Sequence, residues 1–545
     1  MKLFQRHAAP EQGYPDGDLS KGGIMADGDL PEPKRQRGGR QKLRDARVGV
    51  EAGVHRPYIT RGIPTYDILS EESLVAIEKT ADRILAEIGI ELRDDAPTMQ
   101  LYKAAGAEVT PQTEGVWRVK FPPGMLRDIL KSAPSVFTQH ARNPANNVRI
   151  GGNNVVFAPS YGSPFVMDLD RGRRYGTIED FQNFIKLAQS SPWLHHSGGT
   201  VCEPTDVPVN KRHLDMVYSH IRYSDRGFLG SITAPERAAD SVEMARILFG
   251  EAFTDQNCVV MGNFNTTSPL VIDGVTAAGI RTYAAANQGS IHLPFLLGGA
   301  VAPLTTAGMV AQGLAESMAS CAIAQLIRPG APTILASFFS SMSLRTGSPT
   351  FGTPEPAIGS LAMGQLARRL NMPLRCAGNF STSKLPDGQA MQQSMMSMMS
   401  AVQGGANYVL HSAGFLDGLL SMSYEKLVMD TDMCGALHAY LDGMVVNEDT
   451  LAFDALNELG PGQHLFSTQH TLRHYETAYW DSALDDNQPW ETWDEHGGID
   501  YAQRANTRWK KILREYEAPV LDQATDEALL DFMARRKESM ADMWY

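Results

Sequence analysis

Residues 373–414 read PLRCAGNFSTSKLPDGQAMQQSMMSMMSAVQGGANYVLHSAG. A short apolar segment at 374–380 predicts a buried strand, and a polar loop at 381–388 follows it. A long helical segment and a second apolar segment, at 408–411, come next. The loop after the strand is long and carries several polar side chains, whereas the loop after the helix spans only residues 404–407. This asymmetry is typical of a (β/α) barrel, whose chemistry lies at the carboxyl ends of its strands.

The same strand and helix unit occurs eight times along the chain. The predicted strands cover residues 155–159, 194–201, 227–233, 258–263, 291–297, 333–339, 374–380 and 408–412. The helical segments that follow them open near Thr177, Asn210, Ala234, Asp273, Thr305, Glu355, Asp387 and Ser423. Eight alternations predict an α/β fold in the form of a TIM (β/α)8 barrel. An open doubly wound sheet is the alternative, but it usually carries a Gly-rich phosphate loop after its first strand, which APSYGSP at 158–164 is not.

Four regions follow one another along the 545 residues. Residues 1–55 are rich in Gly, Pro and charge, with a basic run at 34–47, and we expect a disordered basic N-terminal arm. The arm is either a solvated tail or a segment that reaches over a partner subunit or a nucleic acid. Residues 56–150 mix helical and strand patterns and predict a small α+β cap. The barrel then spans residues 151–445, and residues 446–545 form a C-terminal helical extension.

Composition narrows the class of protein. The net charge of −13 argues against nucleic acid as a partner and indicates a soluble, cytoplasmic protein. No stretch resembles a transmembrane helix or a secretory signal, so no membrane partner is expected. The five cysteines form no CxxC pair, which disfavours a disulfide framework or a thiolate zinc site. The segment 307–327 is apolar nearly all round, and we favour a subunit interface in a homo-oligomer over burial inside the chain.

The predicted strand ends are poor in carboxylates and rich in aromatic and amide side chains. Paired acids for glycoside hydrolysis and a Ser-His-Asp order are both absent. Aromatic walls with few charges suit a cationic ligand, because ring faces attract ammonium groups. His470 and His474 have metal-ligand spacing, but without an HExxH motif they are interpreted as surface or interface residues, and no metal site is expected.

Several runs resemble the trimethylamine methyltransferase family. They are SYGSPFVMDLDRGRRYGTIED at 160–180, SLRTGSPTFGTPEP at 343–356, GNFSTSKLPDGQA at 378–390, LHSAGFLDGLLSMSYEKLVMD at 410–430 and HGGIDYAQRANTRWKKIL at 496–513. The resemblance implies a TIM barrel, in agreement with the strand count. It also implies an enzyme that moves a methyl group from a methylated amine to the cobalt of a separate corrinoid protein.

The founding members of that family carry pyrrolysine in the barrel, and this sequence has none. The corresponding position falls near the loop that contains Ser383 and Lys384. Neutral trimethylamine is a poor leaving group until its nitrogen takes a fourth bond, a role proposed for pyrrolysine. A quaternary amine already has four bonds to nitrogen and leaves as a neutral amine. The resemblance therefore implies glycine betaine or a related quaternary amine as substrate, with trimethylamine less favoured.

The candidate substrate-binding residues lie at the predicted strand ends, and they are Tyr161, Asn263, Phe338, Phe339, Asn379, Lys384 and His411. We predict aromatic walls around the methylammonium group from Tyr161 and the two phenylalanines, of which strand alternation lets only one point inward. Asn379 and His411 are expected to orient the other end of the ligand. Lys384 either pairs with a ligand carboxylate or is a solvated loop side chain. The catalytic residue is left unassigned.

No side chain of the barrel is nucleophilic enough to demethylate a quaternary amine, whereas Co(I) in cobalamin is. The chain is expected to bind no cofactor itself, because its nearest match to a corrinoid-binding Asp-x-His-x-x-Gly run, residues 494–499, ends in Ile499. Cobalamin should therefore arrive on a corrinoid protein that docks over the strand ends. The leading hypothesis is a corrinoid-dependent methyltransferase. The alternatives are a non-catalytic methylammonium-binding barrel protein and an unrelated barrel lyase.

Overall fold

A twelve-stranded, largely parallel sheet organises residues 55–544, the part of the chain that this computed structural model describes. The predicted N-terminal arm therefore lies outside the described residues, except for its last position. The strands are β1 (Ile59–Thr60), β2 (Ile90–Arg93), β3 (Glu108–Thr113), β4 (Val116–Lys120), β5 (Val136–Gln139), β6 (Val148–Gly151), β7 (Asn154–Phe157), β8 (Phe165–Asp168), β9 (Gly172–Tyr175), β10 (Phe228–Leu229), β11 (Val260–Thr266), β12 (Val271–Ile272), β13 (Gly289–Leu297), β14 (Thr333–Ala336), β15 (Phe338–Met342), β16 (Pro349–Thr350), β17 (Leu374–Ala377), β18 (Tyr408–Leu410), β19 (Phe415–Leu416) and β20 (Ser421–Ser423).

Helices follow most strands of the large sheet. They are α1 (Glu71–Arg83), α2 (Ala96–Ala104), α3 (Met125–Leu130), α4 (Ile178–Ser190), α5 (Arg212–Tyr223), α6 (Pro235–Phe249), α7 (Glu251–Gln256), α8 (Gly274–Ala285), α9 (Thr306–Ile327), α10 (Pro354–Arg369), α11 (Gly388–Gly404), α12 (Tyr424–Asp442), α13 (Glu448–Leu451), α14 (Phe453–Leu459), α15 (Gln469–His474), α16 (Trp490–Glu495), α17 (Tyr501–Glu515) and α18 (Gln523–Glu538). The eight predicted outer helices are confirmed as α4, α5, α6, α8, α9, α10, α11 and α12.

Local capping explains where several of these helices begin. Thr177 and Asp180 form a reciprocal capping box at α4. The side chains of Asp273, Asp387 and Ser423 each accept a hydrogen bond from a backbone N–H in the first turn of α8, α11 and α12. Because these caps are short-range features, the sequence pattern located the helix starts to within two residues.

The large sheet runs in the order β10-β11-β13-β14-β17-β18-β7, with parallel pairing throughout this path. Beyond β7 the antiparallel strands β6 and β5 continue it. The predicted second strand, residues 194–201, forms only a single parallel bridge, between His196 and Gly227, within the described chain. The N–H of His195 donates to the carbonyl of Phe157 (3.0 Å), and that of Ser197 donates to the carbonyl of Gly227 (3.0 Å). This segment therefore bonds to both β7 and the start of β10, the two ends of the parallel path.

Neighbouring residues of a strand point to opposite faces of the sheet, and both faces of the parallel strands are buried. The inner face packs with the β5–β6 hairpin into one apolar cluster that includes Phe137, Val156, Met261, Ile291 and Tyr408. The outer face packs against the surrounding helices in a second, larger cluster. The inner face carries the polar side chains described below.

Helix α9 corrects one prediction. It is buried within the chain, so the prediction of a subunit interface for this segment is wrong. It packs against α1, α2, α3, α8, α10 and β13. The Tyr102 hydroxyl of α2 donates to the Ala319 carbonyl in the middle of α9 (2.8 Å). By length and composition α9 could span a membrane, but 89% of its apolar window is buried inside the chain.

Two smaller sheets flank the large one. Strands β12, β2, β4 and β3 form the first, in which a strand from the loop after β11 joins the three N-terminal strands. Strands β19, β20, β8 and β9 form the second, which joins the loops that follow β18 and β7. The second sheet therefore lies on the carboxyl side of two neighbouring parallel strands. Helices α17 and α18 pack on the outer helices α12, α4, α6 and α5.

Candidate functional site

Aromatic rings meet on the inner face at the carboxyl edge of the parallel sheet. The ring centroid of Phe338 lies 4.7 Å from that of Phe295 and 4.8 Å from that of Phe380. Phe380 in turn lies 5.1 Å from Phe351 and 5.9 Å from Phe415. We call these five side chains the aromatic cluster. Their ring faces carry partial negative charge, so the cluster offers an apolar environment that favours a cation.

His411 lies against the aromatic cluster, with ring centroids 4.9 Å from Phe415 and 5.0 Å from Phe380. Its φ of +68° is uncommon for a residue with a side chain, and it occurs where the chain turns away from β18. The backbone N–H of Tyr161 donates to His411 Nδ1 (3.1 Å), so the neutral ring carries its proton on Nε2. Burial, assisted by the charge of Arg375, holds the pKa of His411 well below its usual range. The imidazole is therefore uncharged at neutral pH and does not repel a bound cation.

Asn379 and Tyr161 adjoin His411 from neighbouring loops. The backbone N–H of Asn379 donates to the His411 carbonyl (2.6 Å), and its side-chain amide donates to the Ser412 carbonyl. The Asn379 Oδ1 atom is buried and has no hydrogen-bond partner among the described residues. Burial raises the pKa of Tyr161 to about 12, so its hydroxyl is neutral. The Tyr161 ring also requires the glycine at 199, since a Cβ there would lie 2.7 Å from the ring.

Asn263 lies deeper on the inner face, on β11. It shares the facing of Met261, two residues before it, and pairs in register with Ile291 of β13. Phe295 of the aromatic cluster is four residues further along β13. The Asn263 Oδ1 atom is buried without a partner in the described chain. The structure thus places Asn263 on the same face as the cluster but nearer the amino ends of the strands.

Phe339 is on the opposite face of its strand from Phe338. It belongs to the outer apolar cluster, between the sheet and the helices. A Cβ at Gly313 of α9 would lie 3.2 Å from its ring, and one at Gly359 of α10 would lie 2.8 Å from it. The structure therefore does not bring Phe339 to the aromatic cluster.

Lys384 is a surface residue. Its side chain is 74% exposed, and its Nζ donates to the Thr382 carbonyl within the same loop (2.8 Å). Its Nζ is also 3.9 Å from the carboxylate of Asp417. The structure places Lys384 outside the aromatic cluster, with a carboxylate of the chain itself beside it.

Arg375 is a functional candidate that the sequence reasoning missed. It is the largest fully buried residue of the described chain. Its guanidinium carbon lies 5.7 Å from the ring centroid of Phe338. Its Nη1 donates to the Ser337 carbonyl (3.1 Å), but Nε and Nη2 have no partner among the described residues. Burial lowers its pKa to about 10, so the side chain remains charged at neutral pH. The available signal was a lone charge inside the apolar run LRCAGNF.

Tyr408 is a second functional candidate that the sequence reasoning missed. It pairs in register with Arg375 on the neighbouring strand β18. Its ring lies 5.5 Å from that of His196, and its hydroxyl is buried with no partner within residues 55–544. Burial raises the pKa of Tyr408 well above its usual range, so the hydroxyl is a neutral donor.

Among the residues that the structure describes, the inner face thus combines an aromatic cluster with the buried charge of Arg375 and several polar atoms that have no hydrogen-bond partner. No three His, Cys, Asp or Glu side chains of the described chain are arranged to hold a metal ion. Of the two histidines with metal-ligand spacing, His474 bonds to the carboxylate of Asp449 (2.7 Å). The ring centroids of His470 and His474 lie 4.5 Å apart. The arrangement can bind an organic cation and can also receive a group with negative charge.

Comparisons with known proteins show the family to which the chain belongs. The model of the trimethylamine methyltransferase (MTTB) family matches residues 35–541. The chain is 40% identical over 481 residues to glycine betaine methyltransferase of Desulfitobacterium hafniense, covering 88% of this chain and 99% of that protein. It is 25% identical over 452 residues to trimethylamine methyltransferase MttB from another strain of that bacterium, covering 82% and 89%. The crystal structure of monomethylamine methyltransferase (MtmB) of Methanosarcina barkeri aligns with a TM-score of 0.45 at 12% identity, over 84% of this chain and 96% of that one.

Proposed function

Because the chain belongs to the trimethylamine methyltransferase (MTTB) family, we propose that it is a corrinoid-dependent methyltransferase. It moves a methyl group from a quaternary or tertiary methylated amine to the Co(I) of a separate corrinoid protein. The substrate is glycine betaine or a similar amine, with trimethylamine the less favoured candidate. The glycine betaine methyltransferase at 40% identity supports this choice.

The aromatic cluster beside a neutral His411 is the observation that carries the proposal. Ring faces replace part of the hydration of a methylammonium group, and each contact contributes roughly 0.5–2 kcal/mol when water is excluded. His411 adds a polar N–H without adding charge. The amine therefore binds at the carboxyl edge of the sheet, where an approaching partner could reach its methyl groups.

The nearest match to a corrinoid-binding motif, at residues 494–499, does not follow a strand. His496, in the Asp-Glu-His run, ends the short helix α16 in an exposed loop rather than following a strand. We therefore assign the cobalamin to a partner that docks over the carboxyl edge. There Co(I) would supply the nucleophile, and the residues of this chain bind the amine, orient it and exclude water.

We also propose that the parallel sheet is a closed TIM (β/α)8 barrel. Its second strand is the segment around residues 195–198, which bonds to the first strand through His195 and to the third through Ser197. On this proposal residues 56–150 are the cap, residues 151–445 the barrel and residues 446–545 the helical extension. The five cysteines are free and buried, which fits a reducing compartment such as the cytoplasm.

The protein should form a homo-oligomer through residues 444–479. Much of this segment exposes apolar side chains, which in soluble proteins often mark an interface. The segment leaves the sheet at its amino side, because α12 ends where Gly62 donates to the Leu441 carbonyl and Arg61 donates to the Asn153 carbonyl before β7. Because the segment begins on the side of the sheet away from the carboxyl edge, we assign it to a second copy and not to the corrinoid protein.

Methyl transfer can be followed directly. Purified protein is incubated anaerobically with glycine betaine, with and without reduced cobalamin or a corrinoid protein, and methylcobalamin absorbance is recorded. We expect no demethylation without the corrinoid and growing methylcobalamin absorbance with it. Turnover in the absence of any corrinoid would overturn the mechanism. Silence with it, across a broad panel of methylated amines, would favour a non-catalytic binding protein.

A further inference from the structure

We propose that Arg375 binds a carboxylate of the substrate, so that the enzyme selects quaternary amines that carry one. This inference rests on the proposed function and narrows its substrate class. It assigns the anionic end of the ligand to a side chain deep on the inner face and not to Lys384 at the surface. The reasons lie in the missing partners of Arg375, in its depth and in its charge.

A buried guanidinium is costly unless it is paired or fully hydrogen-bonded. Within residues 55–544, Arg375 has no carboxylate within ion-pair distance, and two of its three nitrogens have no hydrogen-bond acceptor. Arg226 is also buried, but the protein itself supplies hydrogen-bond acceptors for its guanidinium. Its two terminal nitrogens donate at 2.7–2.9 Å to the carbonyls of Ala188, Leu194, Gln189 and Ser191. Arg375 lacks such a set, which indicates that a ligand completes it.

The two unpartnered atoms of Arg375 form one edge of the guanidinium. Nε and Nη2 lie side by side and present two parallel N–H donors, the geometry that a carboxylate accepts with both oxygens. The Tyr408 hydroxyl, on the register partner of Arg375, is a third unpartnered donor nearby. A carboxylate bound here would satisfy all three donors.

The depth of Arg375 fits a ligand with two ends. Arg375 is in register with Ala336, two residues before Phe338, so its backbone lies one inward-facing layer below the aromatic cluster. In glycine betaine one methylene separates the ammonium nitrogen from the carboxyl carbon. With the carboxylate at Arg375, the trimethylammonium group would contact the rings. Its methyl groups would then face the carboxyl edge of the sheet, where the corrinoid partner is proposed to dock.

The charge of Arg375 also discriminates against other amines. A plain quaternary cation such as choline or tetramethylammonium would meet the aromatic cluster with an uncompensated positive charge about 6 Å away. A zwitterion brings the compensating charge with it. The same side chain therefore attracts one class of substrate and repels another, which is an effective source of specificity.

The inference is tested by calorimetric titration of the full chain with glycine betaine, its methyl ester, choline and tetramethylammonium. The methyl ester keeps the ammonium group, removes the negative charge and adds one methyl group at the carboxyl end, and this comparison needs no variant. We expect the wild-type protein to bind the ester at least about 30-fold more weakly than glycine betaine, as for loss of one member of a buried charge pair. Choline and tetramethylammonium should bind no more tightly than the ester.

Two variants extend the test. Arg375→Met should weaken glycine betaine binding by a similar factor. In this variant choline should bind at least as tightly as glycine betaine. Arg226→Lys is the matched control, because it alters a buried arginine whose terminal nitrogens donate to backbone carbonyls. It should lower the melting temperature without changing the preference for glycine betaine over choline. Thermal unfolding of each variant establishes that it is folded before titration.

The outcomes separate the inference from the proposed function. Equal binding of glycine betaine and its ester, with methyl transfer to cobalamin intact, would overturn the role of Arg375 and leave the function standing. Loss of the preference in Lys384→Ala but not in Arg375→Met would likewise overturn it. Absence of methyl transfer from every amine in the presence of a corrinoid would overturn the function itself. A preference lost only in Arg375→Met supports the inference.

Discussion

Phe338 and Phe339 are adjacent in the chain yet contact different parts of the molecule. The first faces the inner aromatic cluster and the second the helices α9 and α10. Because both are buried, removing either ring leaves a cavity, and truncation of a buried phenylalanine costs about 3–5 kcal/mol of stability. Only the inward ring is placed to contact a ligand. The pair therefore allows packing and binding to be measured separately.

Phe338→Ala should weaken binding of a quaternary amine by about 0.5–2 kcal/mol, the size of a desolvated cation–π contact. Phe339→Ala should leave the dissociation constant unchanged while lowering the free energy of unfolding. Calorimetric titration and urea unfolding of both variants measure the two effects. Equal losses of affinity in the two variants would contradict this assignment of faces.

His292 predicts a pH dependence of stability. It is fully buried on β13, where Nδ1 is 2.7 Å from the Ser320 hydroxyl and Nε2 is 2.9 Å from the Ser290 hydroxyl. Burial lowers the pKa of His292 to about 3, whereas an unfolded chain titrates near 6.5. Below about pH 6.5 the unfolded state therefore binds a proton that the folded state does not. The free energy of unfolding should fall by up to about 1.4 kcal/mol per pH unit between pH 6.5 and pH 3 from this residue alone.

Urea unfolding of the wild type and of His292→Asn at pH 7.5, 6 and 5 measures this dependence. The free energy of unfolding of the variant should fall less steeply on acidification. The difference in slope should be at most about 1.4 kcal/mol per pH unit, the value for one proton. His464→Asn, at an exposed position, is the control and should follow the wild-type slope. Identical slopes for wild type and His292→Asn would show that another group dominates.

At the scale of elements, α9 also fixes the loop that links β11 to β12. Glu316 is buried in the middle of α9, where one carboxylate oxygen accepts from the hydroxyls of Thr266 and Ser268 (2.7 Å each). The other oxygen accepts from the Leu270 N–H (3.0 Å) and the Gln312 side-chain amide (2.7 Å). Since β12 completes the small N-terminal sheet, this carboxylate joins the two sheets.

Glu316→Ala should destabilise the protein by about 3 kcal/mol or more, because it leaves four donors without their acceptor, those of Thr266 and Gln312 buried and those of Ser268 and Leu270 half-buried. Each bond to a charged group contributes about 1.5–3 kcal/mol. Thermal and urea unfolding measure the loss, and hydrogen exchange at Leu270 reports on the loop. Glu355→Ala, at an exposed position in the first turn of α10, is the control, with an expected loss below about 1 kcal/mol. Equal losses in both variants would contradict the account.

At the scale of the whole molecule, the exposed apolar surface of residues 444–479 predicts self-association. Its most exposed members are Met444, Val445, Val446, Leu451, Phe453, Phe466, Leu472, Tyr475 and Tyr479. Phe453→Asp and Phe466→Asp should shift the mass measured by light scattering toward that of one chain. Val520→Asp changes an equally exposed apolar residue outside this surface and should not. A wild-type protein that is monomeric at micromolar concentration would contradict the proposal.

The sequence by itself determined the elements that depend on local chemistry. Alternating apolar runs and side-chain caps at Thr177, Asp273, Asp387 and Ser423 act within a few residues, so the pattern located the eight outer helices and the strands before them. The second strand was the exception, because its apolar run pairs with its neighbours at only a few residues. Its extent depends on how β7 and β10 approach it, which is a long-range property.

Only the tertiary structure decided which partners the buried side chains meet. An apolar helix such as α9 can be covered by its own chain or by another, and its periodicity does not distinguish the two. Strand alternation shows that Phe338 and Phe339 point apart, but only the positions of α9 and α10 show which one faces outward. Whether the Arg375 guanidinium has hydrogen-bond partners depends on neighbouring strands that lie far from it in sequence. Local patterns set secondary structure because capping and periodicity are short-range, whereas the site depends on contacts that exist only when the sheet is assembled.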